Sequence, residues 1–100
     1  MMRPIHLAQL DETRTVLIMT REIVRPHLSR VTVAPITTKI RGLSTEVAVG
    51  QENGLDSAGV VSCDNLATVP TSTLGRLVGY LLPAQELKLA EAVRTAFDLA

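Results

Sequence analysis

A mainly β (α+β) fold, a small antiparallel sheet or barrel closed by one C-terminal amphipathic helix, is predicted by three observations. Short β-branched and apolar runs recur from Ile5 to Leu82, separated by charged or Gly- and Asn-bearing connections. After Pro83 the period changes: Leu87, Leu89, Ala90, Val93, Ala96 and Phe97 fall close to a helical stripe, with Glu86, Lys88, Glu91 and Arg94 opposite. Finally, 100 residues with 46% apolar content make one modest core but not two, so residues 1–100 are read as a single domain.

The elements follow in order. Ile5–Leu10 and Thr15–Met19 read as two strands of a hairpin, with only Asp11 to Arg14 between them. Thr20 to Ser29 has no clean period, and Pro26 limits it to a loop with one helical turn at most. Val31–Ile36 is a β-branched strand that Pro35 should carry out of the ladder, leaving Thr37 to Gly42 as an exposed connection. Thr45–Val49 alternates as a strand, Glu52-Asn53-Gly54-Leu55 carries the Asn-Gly pair of a tight turn, and Gly59–Cys63 is apolar enough for a central strand. Asp64-Asn65 ends that strand, Leu66 to Pro70 is a short extended piece, and Leu77–Leu82 is the last strand. Pro83 then suits the first turn of the helix.

Composition excludes several classes. A mean hydropathy of +0.25 is too high for a disordered chain. No apolar run approaches the roughly 20 residues that span a bilayer, and the start lacks the apolar stretch of a secretory signal, so a cytoplasmic protein with no membrane partner is expected. Cys63, the single cysteine, precludes an intramolecular disulfide and a multi-cysteine metal site; a small buried hydrophobe is its ordinary role. The net charge of zero hides a polarity. Residues 1–50 hold seven cations and four acids, and residues 51–100 hold three cations and six acids, which suits one basic, anion-facing surface.

Few residues advertise chemistry. His6 and His27 lie far apart, and neither a paired-cysteine motif nor a glycine-rich phosphate loop occurs, so a metal or nucleotide cofactor is not expected. His6 alternates with Ile5 and Leu7 as a half-buried strand residue. His27, beside Arg25, Ser29 and Arg30, suits a surface loop or, alternatively, an RNA contact or proton transfer. The best candidate is Arg14 with Pro35-Ile36-Thr37-Thr38-Lys39-Ile40-Arg41. Threonine donates to a non-bridging phosphate oxygen, and arginine offers a planar fork that matches phosphate.

Taken together, Arg14-Thr15-Val16-Leu17-Ile18-Met19-Thr20, Val33-Ala34-Pro35-Ile36-Thr37-Thr38, Asp64-Asn65 and Leu74-Gly75-Arg76-Leu77-Val78-Gly79 before a terminal helix resemble the MazF/PemK toxins across nearly the entire chain. The resemblance implies a homodimer of SH3-like barrels, toxin of a type II toxin-antitoxin system and sequence-selective endoribonuclease. Single-stranded RNA (mRNA) would lie in grooves near the dimer interface. It implies Arg14 and Thr37 as the catalytic pair, with the RNA's own 2′-hydroxyl as nucleophile, 2′,3′-cyclic phosphate and 5′-hydroxyl ends, and no metal or cofactor. Thr38, Lys39, Arg41, Arg25 and His27 are the expected RNA-backbone contacts. The implied partner is a MazE-like antitoxin whose disordered, acidic C-terminal tail covers the basic half.

The chain departs from the family pattern in its short first loop, in Thr15 where a proline is usual, and in His6 where an aromatic is common. With only Tyr80 and Phe97 as aromatics, base recognition must lean on hydrogen bonds rather than stacking. Two rivals follow from the same likeness: a catalytically inactive relative, and a CcdB-like non-enzymatic toxin that binds DNA gyrase. The chain end, Phe97-Asp98-Leu99-Ala100, lacks the Trp-Gly-Ile ending associated with the latter.

Overall fold

The computed structural model describes residues 2–100. Its strands are β1 (Pro4–Gln9), β2 (Thr13–Ile18), β3 (Arg30–Thr37), β4 (Glu46–Val49), β5 (Gly59–Ser62), β6 (Ala67–Pro70) and β7 (Leu74–Tyr80), followed by α1 (Pro83–Ala96). All pair antiparallel in one sheet of order β4-β5-β3-β2-β1-β7, with β6 also on β3. The fold class is the expected one: a curled, mainly β sheet with a single C-terminal helix. No helix among the described residues is long and apolar enough to cross a membrane.

The apolar runs of β2 and β3 are explained by burial on both faces. Side chains alternate across a strand, so Leu17 and Ala34 face the core under α1 with Ile5, Val61, Leu81 and Leu89. Val16, Ile18, Val31 and Val33 face a second cluster with Ala8 and Val69. Each such fully buried aliphatic side chain contributes about 1.5–3 kcal/mol.

Pro35 does not leave the ladder: β3 runs through it, with Pro35 opposite Val16. The Met19 N–H donates to the Thr32 carbonyl at 2.8 Å, so the even-numbered residues of β3 turn their backbone groups toward β2. The nitrogen of Pro35 therefore faces the other way. On that side β6 pairs Arg30 to Val33 and β5 pairs Ile36 and Thr37, leaving a gap where no N–H is needed. Thr37 accordingly ends a strand, opposite Val60, rather than beginning a loose connection.

Two further expectations are corrected. The helical stripe is Leu89, Ala92, Val93 and Ala96, whereas Leu87 is 72% exposed and Phe97 55%, because the face set by the buried Leu89 recurs at three and four residues and misses position 87. The last strand starts at Leu74 and ends at Tyr80, Leu81 being held beyond it by its N–H to the Arg3 carbonyl.

The Asn53-Gly54 turn is real, but it closes a turn of 3-10 helix, Gln51–Asn53, with Gly54 at φ +87°. Its asparagine faces inward. Asn53 is 1% exposed; its amide donates to the Tyr80 carbonyl and to Gln85 Oε1, and its own oxygen accepts from the Gly50 N–H. Gln85 Oε1 also accepts from the Leu82 N–H, so this one side chain caps α1 and ties it to the turn.

Candidate active-site cavity

Strand alternation builds the site. On β3, Val33, Pro35 and Thr37 share a face, and on β2 so do Arg14 and Val16; all five line a cavity of about 530 Å³. Val16 opposes Pro35 and Thr15 opposes Ile36, so one further step of the same register sets Arg14 across from Thr37. The loop after β3 adds Lys39, Arg41 and Leu43, and the far side is closed by Ser62, Asp64 and Asn65 at the end of β5.

Of the sequence-predicted residues, Arg14, Thr37, Lys39 and Arg41 come together here. Thr38 lines an adjoining cavity of about 190 Å³ that shares Thr37 as a wall. Arg25 and His27 do not join them: they form the turn between β2 and β3, at the opposite end of β3 from Thr37. Seven strand steps from Arg30 to Thr37 are roughly 23 Å. Arg25 instead approaches Glu22 at 3.8 Å. The cavity is also not uniformly basic, since Glu46 and Asp64 line it.

The geometry of Arg14 was not legible in the sequence. Its Nε and Nη2 each donate to one oxygen of Asp11 at 3.0 Å. The hydrogen bond from Arg14, with a second from the Glu12 N–H, lowers the Asp11 carboxyl to about 2. A depressed carboxylate pKa means the pair is complete above the usual value of 3.8 and is lost only as pH falls through about 2. The fork uses one edge of the guanidinium, leaving both Nη1 protons and one on Nη2 for another anion. Thr37 is likewise set: its Oγ1 accepts the Lys39 N–H at 3.1 Å, so its own hydroxyl proton is free to donate.

The loop carrying Lys39 and Arg41 is stapled from within. The Glu46 carboxylate accepts the backbone N–H groups of Arg41, Gly42 and Leu43 at 2.9–3.4 Å, and Gly42 takes φ +74°. Burial pushes the Cys63 thiol up, with Asp64 adding to it, which keeps this side chain protonated and inert. Among the described residues no three His, Cys, Asp or Glu side chains gather in a metal-binding group.

Asp11, Glu46 and Ser62 are the site features that sequence reasoning passed over, while Asp64-Asn65 carried the family resemblance without an assigned role. Asp11 lies three residues before Arg14 in a hairpin loop, a spacing at which opposite charges meet, and was the one readable signal.

Residues 4–97 match the family described as PemK-like, MazF-like toxin of type II toxin-antitoxin system. Endoribonuclease MazF3 of Mycobacterium tuberculosis is 65% identical over 98 residues, covering 98% of this chain and 95% of the relative. The solved Mycobacterium tuberculosis toxin MazF-mt6 superposes with a TM-score of 0.96 at 64% identity, covering 98% of this chain and 99% of that one. A mycobacterial endoribonuclease solved with its cognate antitoxin superposes at 0.89 with 28% identity, over 97% and 93% of the two chains. A sheet curled around one helix is thus shared at high identity with toxins of one kind, and the chain belongs to the PemK-like, MazF-like toxins of type II toxin-antitoxin systems.

Proposed function

We propose that this toxin endoribonuclease cuts single-stranded RNA at the Arg14 and Thr37 cavity, by attack of the RNA's own 2′-hydroxyl and without a metal ion. The observation that carries the reading is the placement of Arg14 across from Thr37 at one cavity, each with donors to spare. In the step, the 2′-hydroxyl gives its proton to solvent and its oxygen bonds to phosphorus as the bond to the 5′-oxygen breaks and that oxygen takes a proton from solvent, giving a 2′,3′-cyclic phosphate and a 5′-hydroxyl with no net change in protons. Charge grows on the non-bridging oxygens, where the free edge of Arg14 and the Thr37 hydroxyl stabilise it. Lys39 and Arg41 hold flanking phosphates, and Thr38 meets the strand in the adjoining cavity. Arg25 and His27 serve RNA that extends beyond it.

The protein acts in the cytoplasm as a homodimer, and a MazE-like antitoxin with an acidic tail restrains it by occupying the same cations. Orientation by fixed donors, rather than acid-base chemistry from a histidine, is the reason a small sheet suffices.

The test is chemical. Cleavage of a single-stranded RNA in excess EDTA is expected to continue, and a single 2′-deoxy substitution at the nucleotide before the cut is expected to abolish it at that position. Cutting of the deoxy-substituted strand at the same bond would refute the 2′-hydroxyl route; DNA gyrase inhibition without RNA cleavage would favour the non-enzymatic rival.

Asp11 enters as a positioning residue that holds the guanidinium fork. Asp11→Asn keeps the shape but loses the charge, and kcat should fall on the order of tenfold to a hundredfold with KM less affected. Steady-state kinetics on one oligoribonucleotide decide it: an unaltered kcat removes Asp11 from the mechanism.

A further inference from the structure

We infer that Ser62, Asp64 and Asn65 form a base-reading wall, which takes the nucleobase adjoining the scissile phosphate and favours a base bearing an exocyclic amino group over uracil. The inference deepens the proposed function and rests on it for the identity of the ligand as RNA.

The cavity has two unlike sides because β3 has two unlike neighbours. On the β2 side stands Arg14, and the loop beyond Thr37 adds Lys39 and Arg41; on the other side, where β5 gives way to β6, stand Ser62, Asp64 and Asn65 with no cation among them. Phosphate is drawn to the first wall and repelled by Asp64 from the second. At about 530 Å³ the space exceeds what a phosphate group needs and falls within the roughly 300–1,000 Å³ of small-molecule sites. Between the walls the floor is apolar, made by Val16, Val33, Pro35 and Ala67, a surface suited to the face of a base.

The second wall is built rather than incidental. The buried Cys63 donates its N–H to the Thr45 carbonyl at 3.0 Å, and the buried Thr45 returns its hydroxyl to Asp64 Oδ2 at 2.6 Å. That clamp fixes Asp64 while leaving its second oxygen without a hydrogen-bond partner among the described residues. Asn65 is fixed through Nδ2, which donates to Ser62 Oγ at 2.8 Å, and so keeps its carbonyl and one amide proton available. Glu46, the other carboxylate of the cavity, is engaged instead with the backbone N–H groups of its loop.

A spare carboxylate oxygen beside a donor-acceptor amide has a definite preference. The carboxylate accepts from the amino group of cytosine, adenine or guanine, and the amide of Asn65 pairs with a neighbouring ring nitrogen or carbonyl. Uracil places carbonyl oxygens on either side of its one N–H and would set acceptor against acceptor. Among the described residues no aromatic lines this cavity, so edge contacts carry the discrimination.

The experiment uses short single strands with a 2′-deoxy nucleotide at the cut, carrying each of the four bases in turn at the two positions that flank it, and measures binding to the full-length protein. At one flanking position the uridine strand should bind about tenfold or more weakly than the best amino-bearing strand, and Asp64→Asn should erase most of that difference. Asn65→Ala, checked with Asp64→Asn for an unaltered melting curve, should weaken the same preference at the same position. A wild-type preference retained in full by both variants overturns the inference, as does a uniform loss of binding to all four bases.

The two readings fail separately. Base preference without cleavage of the all-ribose strands would remove the proposed reaction and keep the wall; cleavage with a preference indifferent to Asp64 and Asn65 would remove the wall and keep the reaction. Absence of any RNA binding overturns both.

Discussion

Arg14→Ala is expected to lower kcat for RNA cleavage on the order of 100-fold or more, the cost typical of losing one donor aimed at developing charge. Arg14 is exposed on the outer end of β2, and its ion partners Asp11 and Glu12 lie in the same hairpin. Its truncation removes no core contact, so far-UV circular dichroism and elution volume should match those of the wild type. Arg14→Lys should rescue little. A lysine keeps the charge, yet it cannot hold Asp11 with one edge and offer the other to phosphate. Steady-state rates on a single-site oligoribonucleotide decide the matter, and undiminished cutting by a folded Arg14→Ala protein would sink the site assignment.

The largest expected loss of stability comes from Gly79→Ala. At Gly79 on β7 the Asn53-Gly54 turn lies directly on the strand, so a Cβ there would overlap the Asn53 carbonyl; reciprocally, one on Gly54 would strike the Val78 carbonyl. Both obstacles are backbone, which cannot swing aside as a side chain can. Separating them would pull Asn53 away from Tyr80 and Gln85, and with them the start of α1. About 3 kcal/mol is the expected cost, at the upper end for overpacking. For a chain of this size that corresponds to a fall in Tm on the order of 15 °C. Urea unfolding of the variant beside Gly75→Ala, where the nearest atom to an added Cβ is the Leu7 carbonyl at 3.5 Å, gives the comparison: equal midpoints would contradict the close approach.

What the chain disclosed in advance depended on the range of the interactions involved. Strand alternation, the Asn-Gly turn and the Pro83 helix start are local, and all stand where periodicity and turn chemistry put them, within a residue or two at most ends. Arg14 and Thr37 could be chosen by type, as a cation and a hydroxyl beside connections. Their adjacency is a property of the β2–β3 register, which joins residues 23 positions apart across turn and strand and carries no local mark. Pro35 was misjudged for the same reason, because whether a missing N–H matters depends on which strand lies beside it. Asp64 and Asn65 read as the end of a strand and as part of the family resemblance but with no role, since the clamp of Asp64 to Thr45 crosses 19 residues. Asn53 looked like a surface turn residue until Gln85, 32 residues on, gave its amide a buried partner. Arg25 and His27 show the same limit from the other side: proximity in sequence to other cations said nothing about the strand that sets them at the far end of the sheet from Thr37.

The gap beside Pro35 has a consequence for how such a protein can diversify. Because β5 and β6 leave β3 at that point, the crossing between them, Cys63–Asn65, rests against the Arg14 and Thr37 cavity without belonging to any ladder. Apart from the buried Cys63 and the clamped Asp64, its side chains support no other element, and the loop from Lys39 to Leu43 likewise lies outside every strand pair. On the proposed reading, the reacting pair Arg14 and Thr37 is anchored in the sheet, while the groups proposed to meet the bases sit outside it. Target preference could then drift by small steps at Ser62 and Asn65 while the pair across the β2–β3 register stays in place.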